Sequence, residues 1–225
     1  MIDGVLVIDK PAGPGSHAVV QWVRRVTGAA KAGHLGTLDP PASGVLPIAL
    51  GSATSRAREL SGSEKVYEFT LRLGFSTETD DDSGLITAEA PVPRDAAENL
   101  QALLPKFTGD IMQRPPEISA VKVSGVRAYR RAREEGGVSL EPRPVRIDSI
   151  RIIGRDGAGI RMHLKCRSGT YVRSLARDMG RAMGTLGYAS DIRRLKSGPY
   201  IIDGALNVTE LVENPDIWRG RLISV

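Results

Sequence analysis

One carboxylate lies alone in an otherwise basic stretch of the chain, on a loop with glycines and prolines where it could act as a nucleophile. Asp39 lies in the run HLGTLDPPASGVLPIAL (34–50), and the sequence holds no other Asp or Glu between Lys10 and Arg58. An aspartate is ionised at neutral pH, so it can attack an electrophile without a general base. The flanking glycines allow a ligand to approach closely, and the two prolines that follow stiffen the carboxylate's mounting. We predict that Asp39 is catalytic, the alternative being an Asp-Pro turn without chemistry.

A guanidinium that could keep Asp39 ionised is predicted at Arg173. In the run SGTYVRSLARDMG (168–180) and the residue after it, Arg173, Arg177 and Arg181 recur every four residues and share one helix face. Arg173 falls in the first turn, where a cation opposes the helix dipole, so we expect a carboxylate or a phosphate beside it. For Arg177 and Arg181 we expect a solvated basic stripe.

Other polar residues are weaker candidates. Tyr67, in KVYEFTL, is either a packed sheet aromatic or a platform on which a base stacks. His34 opens the Asp39 loop, and a lone histidine is usually structural. The single cysteine, Cys166, shows no metal-ligand spacing with the histidines, and TETDDDSG (77–84) lacks the EF-hand pattern, so it is interpreted as a solvated hairpin turn. No nucleotide-cofactor motif is found, and we expect neither cofactor nor metal.

The elements that would position these residues alternate between strand and helix. A buried strand is predicted at 4–9, followed by a helix with Ser16 as its N-cap. The segment 44–50 is predicted to be an edge or interrupted strand because of Pro47. An alternating strand follows at 65–75, a hairpin is predicted around RDGAG, and a helix begins at Thr170. Helices and hairpin-joined strands together predict an α+β fold with a mixed, largely antiparallel sheet.

Composition indicates the kind of partner and the cellular compartment to expect. The chain has 225 residues and a formal net charge of +5, which favours an anionic partner. One cysteine excludes a disulfide framework and favours a reducing cytosol. No apolar run reaches the roughly 20 residues of a membrane span, and no signal peptide is recognised, so a cytoplasmic location is predicted. Residues 113–145 are rich in proline and basic side chains and are predicted to be an exposed excursion from the core.

Six segments, in this order, resemble the TruB family of RNA pseudouridine synthases. The resemblance spans about residues 4–212, and the pairing of G-x-L-D-P with S-G-T-Y-V-R some 130 residues later is its most specific part. The segments are GVLVIDKPAG, AGHLGTLDPPASGVLPIALGSAT, KVYEFTLRLG, ISAVKVSGVRAY, RSGTYVRSLARDMG and IRRLKSGPY.

The resemblance implies roles for individual residues. Asp39 matches the catalytic aspartate, Tyr67 the tyrosine that stacks on the target base, and Arg173 the arginine that pairs with the aspartate. Residues 113–140 match an RNA-gripping thumb insertion. The remaining matched positions contact the RNA, the base or the active-site loop, and they are Lys10 with Pro11, His34, Leu195, Lys122 and Tyr129.

The resemblance also implies the fold and the reaction. It implies the pseudouridine synthase fold, with residues 1–225 as a single catalytic domain. Many relatives carry a further C-terminal RNA-binding domain, often of PUA type, and we expect none in this sequence. The implied substrate is the uridine at position 55 in the T arm of tRNA, modified by a monomer without cofactor or metal. The sequence departs from the family pattern at Pro14-Gly15 and at DPPASG, which affects loop packing.

Two other functions stay open from the residues alone. A non-catalytic RNA-binding module would also explain the basic charge. A glycoside hydrolase would act at a glycosidic carbon too, but it needs two carboxylates about 5–10 Å apart. Within the synthase interpretation, Asp39 either forms a covalent bond or abstracts the ribose 2′ proton.

Overall fold

The structure is a computed structural model that describes residues 2–62, 64–118, 122–123, 126–127, 140–157 and 159–225. It divides into two compact units. The first comprises Met1–Glu68 and Asp191–Val225, and the second comprises Phe69–Ser190. Among the described residues, no helix combines the length and the apolar character that a membrane crossing requires.

Strands predominate along the chain. In chain order the elements are β1 (Gly4–Lys10), α1 (Ser16–Thr27), β2 (Ala32–His34), β3 (Ser43–Leu50), α2 (Ala57–Leu60), β4 (Glu64–Leu73), β5 (Phe75–Thr77), β6 (Ile86–Glu89), α3 (Ala96–Leu103), β7 (Gly109–Gln113), β8 (Lys122–Val123), β9 (Val126–Arg127), β10 (Arg143–Asp156), β11 (Gly159–Arg167), α4 (Val172–Ala182), β12 (Gly187–Ser197), β13 (Tyr200–Ile201), β14 (Leu206–Asn207) and α5 (Val208–Glu213). Short 3₁₀ turns occupy Gly51–Arg56, Leu104–Phe107, Ile202–Gly204 and Ile217–Arg221.

The first unit is built on strands in the order β14-β1-β3-β12. β1 runs antiparallel to β3 and parallel to β14, while β12 runs parallel to β3 at Arg193 and Arg194. β1 forms because its apolar run is buried along nearly its whole length. On α1 the valines at 19, 20 and 23 are buried, which is the helical spacing expected of an amphipathic segment.

The prediction that Pro47 makes β3 an edge or interrupted strand is wrong. β3 is continuous, with β1 on one side and both β2 and β12 on the other. The carbonyl of Pro47 accepts from the Leu35 amide at 2.9 Å, so this residue's polar groups face away from β1. The missing N–H therefore removes no bond from the β1 ladder. On the other side of β3, Pro47 lies between the residues that pair with β12 (Ser43 and Gly44) and those that pair with β2 (48–50).

The second unit carries strands in the order β4-β11-β10-β7. The predicted hairpin is present as antiparallel β10 and β11, and β7 pairs antiparallel with β10. Helix α4 buries nearly all of its length, and a Cβ at Gly180 would overlap the backbone of Gly187. Mixed strands, mostly antiparallel, together with interspersed helices confirm the α+β class predicted from the sequence.

Candidate active site

Asp39 lies in the loop between β2 and β3, in the first unit, and its side chain is partly buried. The Ala42 amide donates to the Asp39 carbonyl at 3.2 Å, and the Gly13 amide donates to the Pro40 carbonyl at 2.8 Å. These bonds tie the loop to itself and to the segment after β1. The carboxylate therefore stands on a backbone with fixed direction, as a nucleophile or base requires.

Lys10 holds the loop on the C-terminal side of Asp39. Its buried ammonium donates to the carbonyls of Pro11 at 2.8 Å, Pro14 at 2.9 Å and Pro40 at 3.1 Å. Burial lowers the pKa of Lys10 from 10.5 to about 8; the negative charge of Asp39 opposes this shift and the positive charge of Arg194 adds to it. Lys10 is therefore both a support for the loop and a cation close enough to act on Asp39 electrostatically.

The lowered pKa of Lys10 makes a prediction about stability. Because the folded-state pKa lies below the unfolded value, the unfolded chain holds this proton more tightly between pH 8 and 10.5. The Lys10 contribution to the free energy of unfolding should therefore rise with pH across that window. Urea denaturation from pH 7 to 10.5 should show this rise in wild type and its absence in Lys10→Met. The exposed Lys31→Met is the control, and an unchanged pH slope in Lys10→Met would contradict the shift.

Ser16 holds the residue before Asp39. Sequence patterning predicts Ser16 as the N-cap of α1, but the N-cap is Gly15 and Ser16 is the first helical residue. Its buried hydroxyl accepts from the Leu38 amide at 2.8 Å and donates to the Leu38 carbonyl at 2.6 Å. The prediction fails because a bond to a residue 22 positions away replaces the local capping bond.

Arg194 is a buried residue bonded to the Asp39 loop that sequence reasoning did not single out. It is 1% exposed, and its guanidinium donates to the carbonyls of Val45 at 2.8 Å, Thr37 at 3.0 Å and Gly36 at 3.1 Å. The available signal was its place on β12, two residues after Ile192 and therefore on the same buried face. An arginine at an inward position of a strand needs polar partners, and here the Asp39 loop supplies them.

The remaining predicted residues of the first unit lie as follows. Tyr67 is buried on β4, and its neighbour Val66, on the opposite face of the strand, is partly exposed. Leu195 is half-buried and points to the opposite face from Arg194. His34 ends β2 and is partly buried. The pKa of His34 is lowered by burial and further by the charges of Arg194 and His17, which favours the neutral ring at pH 7.

Arg173 is buried in the second unit at the start of α4, and it is 5% exposed. Its terminal nitrogen donates to the carbonyls of Thr79 at 2.8 Å and Ile118 at 3.1 Å, and its Nε lies 3.5 Å from Oδ2 of Asp81. Asp81 is 2% exposed and also accepts from Thr79 Oγ1 at 2.6 Å. A carboxylate thus lies beside the first-turn arginine, as the helix-dipole argument predicts.

The predicted solvated stripe and solvated turn are both wrong in part. Arg177 is 9% exposed and lies 2.8 Å from Asp80 and 3.0 Å from Asp178, and it donates to the Arg114 carbonyl. Burial raises the pKa of Asp80, and the Arg177 guanidinium opposes that rise. Arg181, the other arginine of the predicted stripe, is exposed as expected. Asp81 is buried and Asp80 is partly buried because α4 presents Arg173 and Arg177 to them, a contact that local composition does not reveal.

The start of α4 is anchored by a buried amide side chain. Gln113 accepts from the Tyr171 amide at 2.8 Å and donates to the Tyr171 carbonyl at 3.1 Å. These bonds hold the backbone two residues before Arg173.

Of the predicted thumb residues, Tyr129 lies outside the described residues, and Lys122 is described as part of the backbone of β8. Within the described part of the chain, no group of three His, Cys, Asp or Glu side chains is arranged to hold a metal ion.

Known proteins resemble the chain in both sequence and structure. A family model described as TruB family pseudouridylate synthase (N terminal domain) matches residues 24–172. tRNA pseudouridine synthase B of Dinoroseobacter shibae is 48% identical over 205 residues, covering 91% of this chain and 67% of that protein. The protein of the same name from Paracoccus denitrificans is 49% identical over 201 residues, covering 88% of this chain and 66% of that protein.

Solved structures share the fold. A chain in the crystal structure of a Cbf5-Nop10-Gar1 complex has a TM-score of 0.73 and 32% identity, over 96% of this chain and 55% of that chain. The chain thus spans about two thirds of the length of the two curated relatives and about half of the Cbf5-complex chain. Since the family model covers more than half of the sequence, the chain belongs to the TruB family of pseudouridylate synthases.

Proposed function

We propose that the chain isomerises a uridine of tRNA to pseudouridine, at position 55 in the T arm. The observation that carries this proposal is the mounting of Asp39: a carboxylate on a loop whose backbone is held by Lys10, Ser16 and Arg194. Membership of the TruB family supports the same function. It also favours a synthase over a non-catalytic RNA-binding module or a glycoside hydrolase, the two alternatives that the residues alone leave open.

The reaction rearranges one bond and conserves the atoms of the nucleoside. The target base leaves the helical stack, which costs a few kcal/mol. The bond from C1′ to N1 breaks, the uracil turns, and C5 bonds to C1′; C5 then loses its proton and N1 gains one. Asp39 acts either by attacking C1′ or by removing the 2′ proton. Both roles require an ionised carboxylate, and a second carboxylate nearby would disfavour that charged form.

Other residues take supporting roles in this proposal. Arg173 pairs with Asp39, and Tyr67 and Leu195 sandwich the flipped base. His34, whose lowered pKa favours a neutral ring, contacts the RNA loop without adding a charge. Lys10 supports the Asp39 loop in the first unit. The thumb insertion at 113–140 contributes Lys122 and Tyr129 to phosphate and base contacts.

Membership of the family also supports a proposal about the domain, the oligomeric state and the location. We place residues 1–225 in one catalytic domain that acts as a cytoplasmic monomer and uses no cofactor. The net charge of +5 suits an RNA backbone, and its effect should weaken as salt rises.

Mapping of the modified base tests the function directly. An unmodified tRNA transcript is incubated with the protein, derivatised with a pseudouridine-specific carbodiimide, and read by primer extension. We expect one new stop, at position 55, and none in a matched transcript that carries cytidine there. Absence of a stop in the T arm, or a stop elsewhere in the tRNA, would contradict the proposed specificity.

A further inference from the structure

The buried guanidinium of Arg194 donates hydrogen bonds to the backbone around Asp39, so this side chain does more than fill space. The partners that the structure gives Arg194 are three backbone carbonyls, at Gly36, Thr37 and Val45. The first two precede Asp39 and the third follows it. A charge taken out of water at 1% exposure is costly, and an apolar side chain of similar volume would fill the same space without that cost.

The arginine fork suits a geometric task. A guanidinium presents its donors in a rigid plane, so three carbonyls bonded to it have little freedom to move relative to one another. A lysine at this position would keep the charge but lose the fixed fork. The Arg194 bonds therefore hold both ends of the Asp39 loop at a set separation.

The backbone of Arg194 is itself fixed against the loop. β12 pairs with the start of β3 at Arg194 and Gly44, where Gly44 has a φ of +104°. A Cβ at Gly44 would overlap the backbone oxygen of Arg194, so this close approach requires glycine. With Lys10 and Ser16 holding Pro40 and Leu38, the loop is held at each position around Asp39.

We propose that Arg194 is a positioning residue for catalysis: through its bonds to the Asp39 loop it sets the direction of the Asp39 carboxylate toward the substrate. Arg194 touches no reacting atom and acts through the carbonyls of the loop. This inference rests on the proposed function. It requires that loss of the fork slow the chemical step while leaving tRNA binding nearly unchanged, since misplacement by about 1 Å costs about 100-fold in rate.

Single-turnover kinetics with enzyme in excess over tRNA test this role. We expect Arg194→Met to lower the rate constant by about 100-fold and Arg194→Lys by about 10-fold, with the Kd for tRNA within about threefold of wild type. Arg193→Met is the matched control because Arg193 is the neighbouring arginine on the same strand and its ion pair is with Asp9. Its rate constant should stay within about twofold of wild type.

Saturating single-turnover conditions separate positioning from folding, because the rate constant of the folded fraction does not depend on how much protein is inactive. If Arg194→Met does not fold, Arg194→Lys decides the question. A wild-type rate constant in Arg194→Lys, or a loss in tRNA affinity as large as the loss in rate, would overturn the proposal. A wild-type protein that makes no pseudouridine would instead overturn the proposed function, so the two failures are distinguishable.

Discussion

Asp39→Asn is expected to lower the single-turnover rate constant for pseudouridine formation by about 10⁴-fold or more, the scale seen when a catalytic nucleophile is removed. The amide is close in shape to the carboxylate, so the loop bonds from Lys10, Ser16 and Arg194 can persist. What is lost is the ionised oxygen, which both mechanistic roles of Asp39 require.

The affinity for tRNA should not fall in Asp39→Asn, because the change removes a negative charge from a surface that meets phosphates. Tritium release from a T-arm stem-loop labelled at C5 of uridine measures the reaction, and a filter-binding titration measures the Kd. Asp9→Asn is the matched control, since Asp9 also lies in the first unit and forms its ion pair with Arg193. Turnover of Asp39→Asn near the wild-type value would remove Asp39 from the mechanism.

Patterns of apolar residues were sufficient to predict the elements near the candidate site. The buried run of β1, the valine spacing of α1 and the β10–β11 hairpin follow from rules that act over a few residues. Asp39 stood out for a similar reason, since its isolation among basic residues is visible in the sequence. The position of β3 was predicted correctly, but its central place in the sheet was not. A proline is accommodated there because β2 and β12 pair only with the two ends of β3, and no rule that acts over a few residues predicts this.

The partners of buried polar groups could not be predicted in the same way. Arg194, Ser16 and Asp81 each bond to groups that are distant in the chain or outside their own element. A serine before a helix predicts a cap and an acidic turn predicts solvent exposure, because those are the commonest local outcomes. The fold overrides these preferences wherever a buried partner of the right kind is brought near, and the functional loop is one such place.

The ion pair at the start of α4 should contribute strongly to the stability of the second unit. Arg173→Met is expected to lower the free energy of unfolding by about 3–5 kcal/mol, because Asp81 is 2% exposed and loses the cation beside it. Arg181→Met is the matched control: it removes an exposed arginine two turns later on the same helix, and it should change stability by about 0.5 kcal/mol at most.

A suitable probe must report on the second unit. Both tryptophans, Trp22 and Trp218, belong to the first unit, so their fluorescence follows that unit. Urea denaturation followed by circular dichroism gives the overall transition. Amide hydrogen exchange over residues 172–182 reports α4 itself, and its protection should fall in Arg173→Met and remain in Arg181→Met.

The double variant Arg173→Met/Asp81→Asn separates the ion pair from other effects of the arginine. Arg173→Met takes the cation away from buried Asp81, and Asp81→Asn takes one carboxylate away from buried Arg173, whereas the double change removes both charges of this pair. The double variant should therefore lose less stability than the sum of the two single losses, by about 1–3 kcal/mol. Additive losses would mean that the two charges do not stabilise each other, and that the bonds from Arg173 to the Thr79 and Ile118 carbonyls account for its burial.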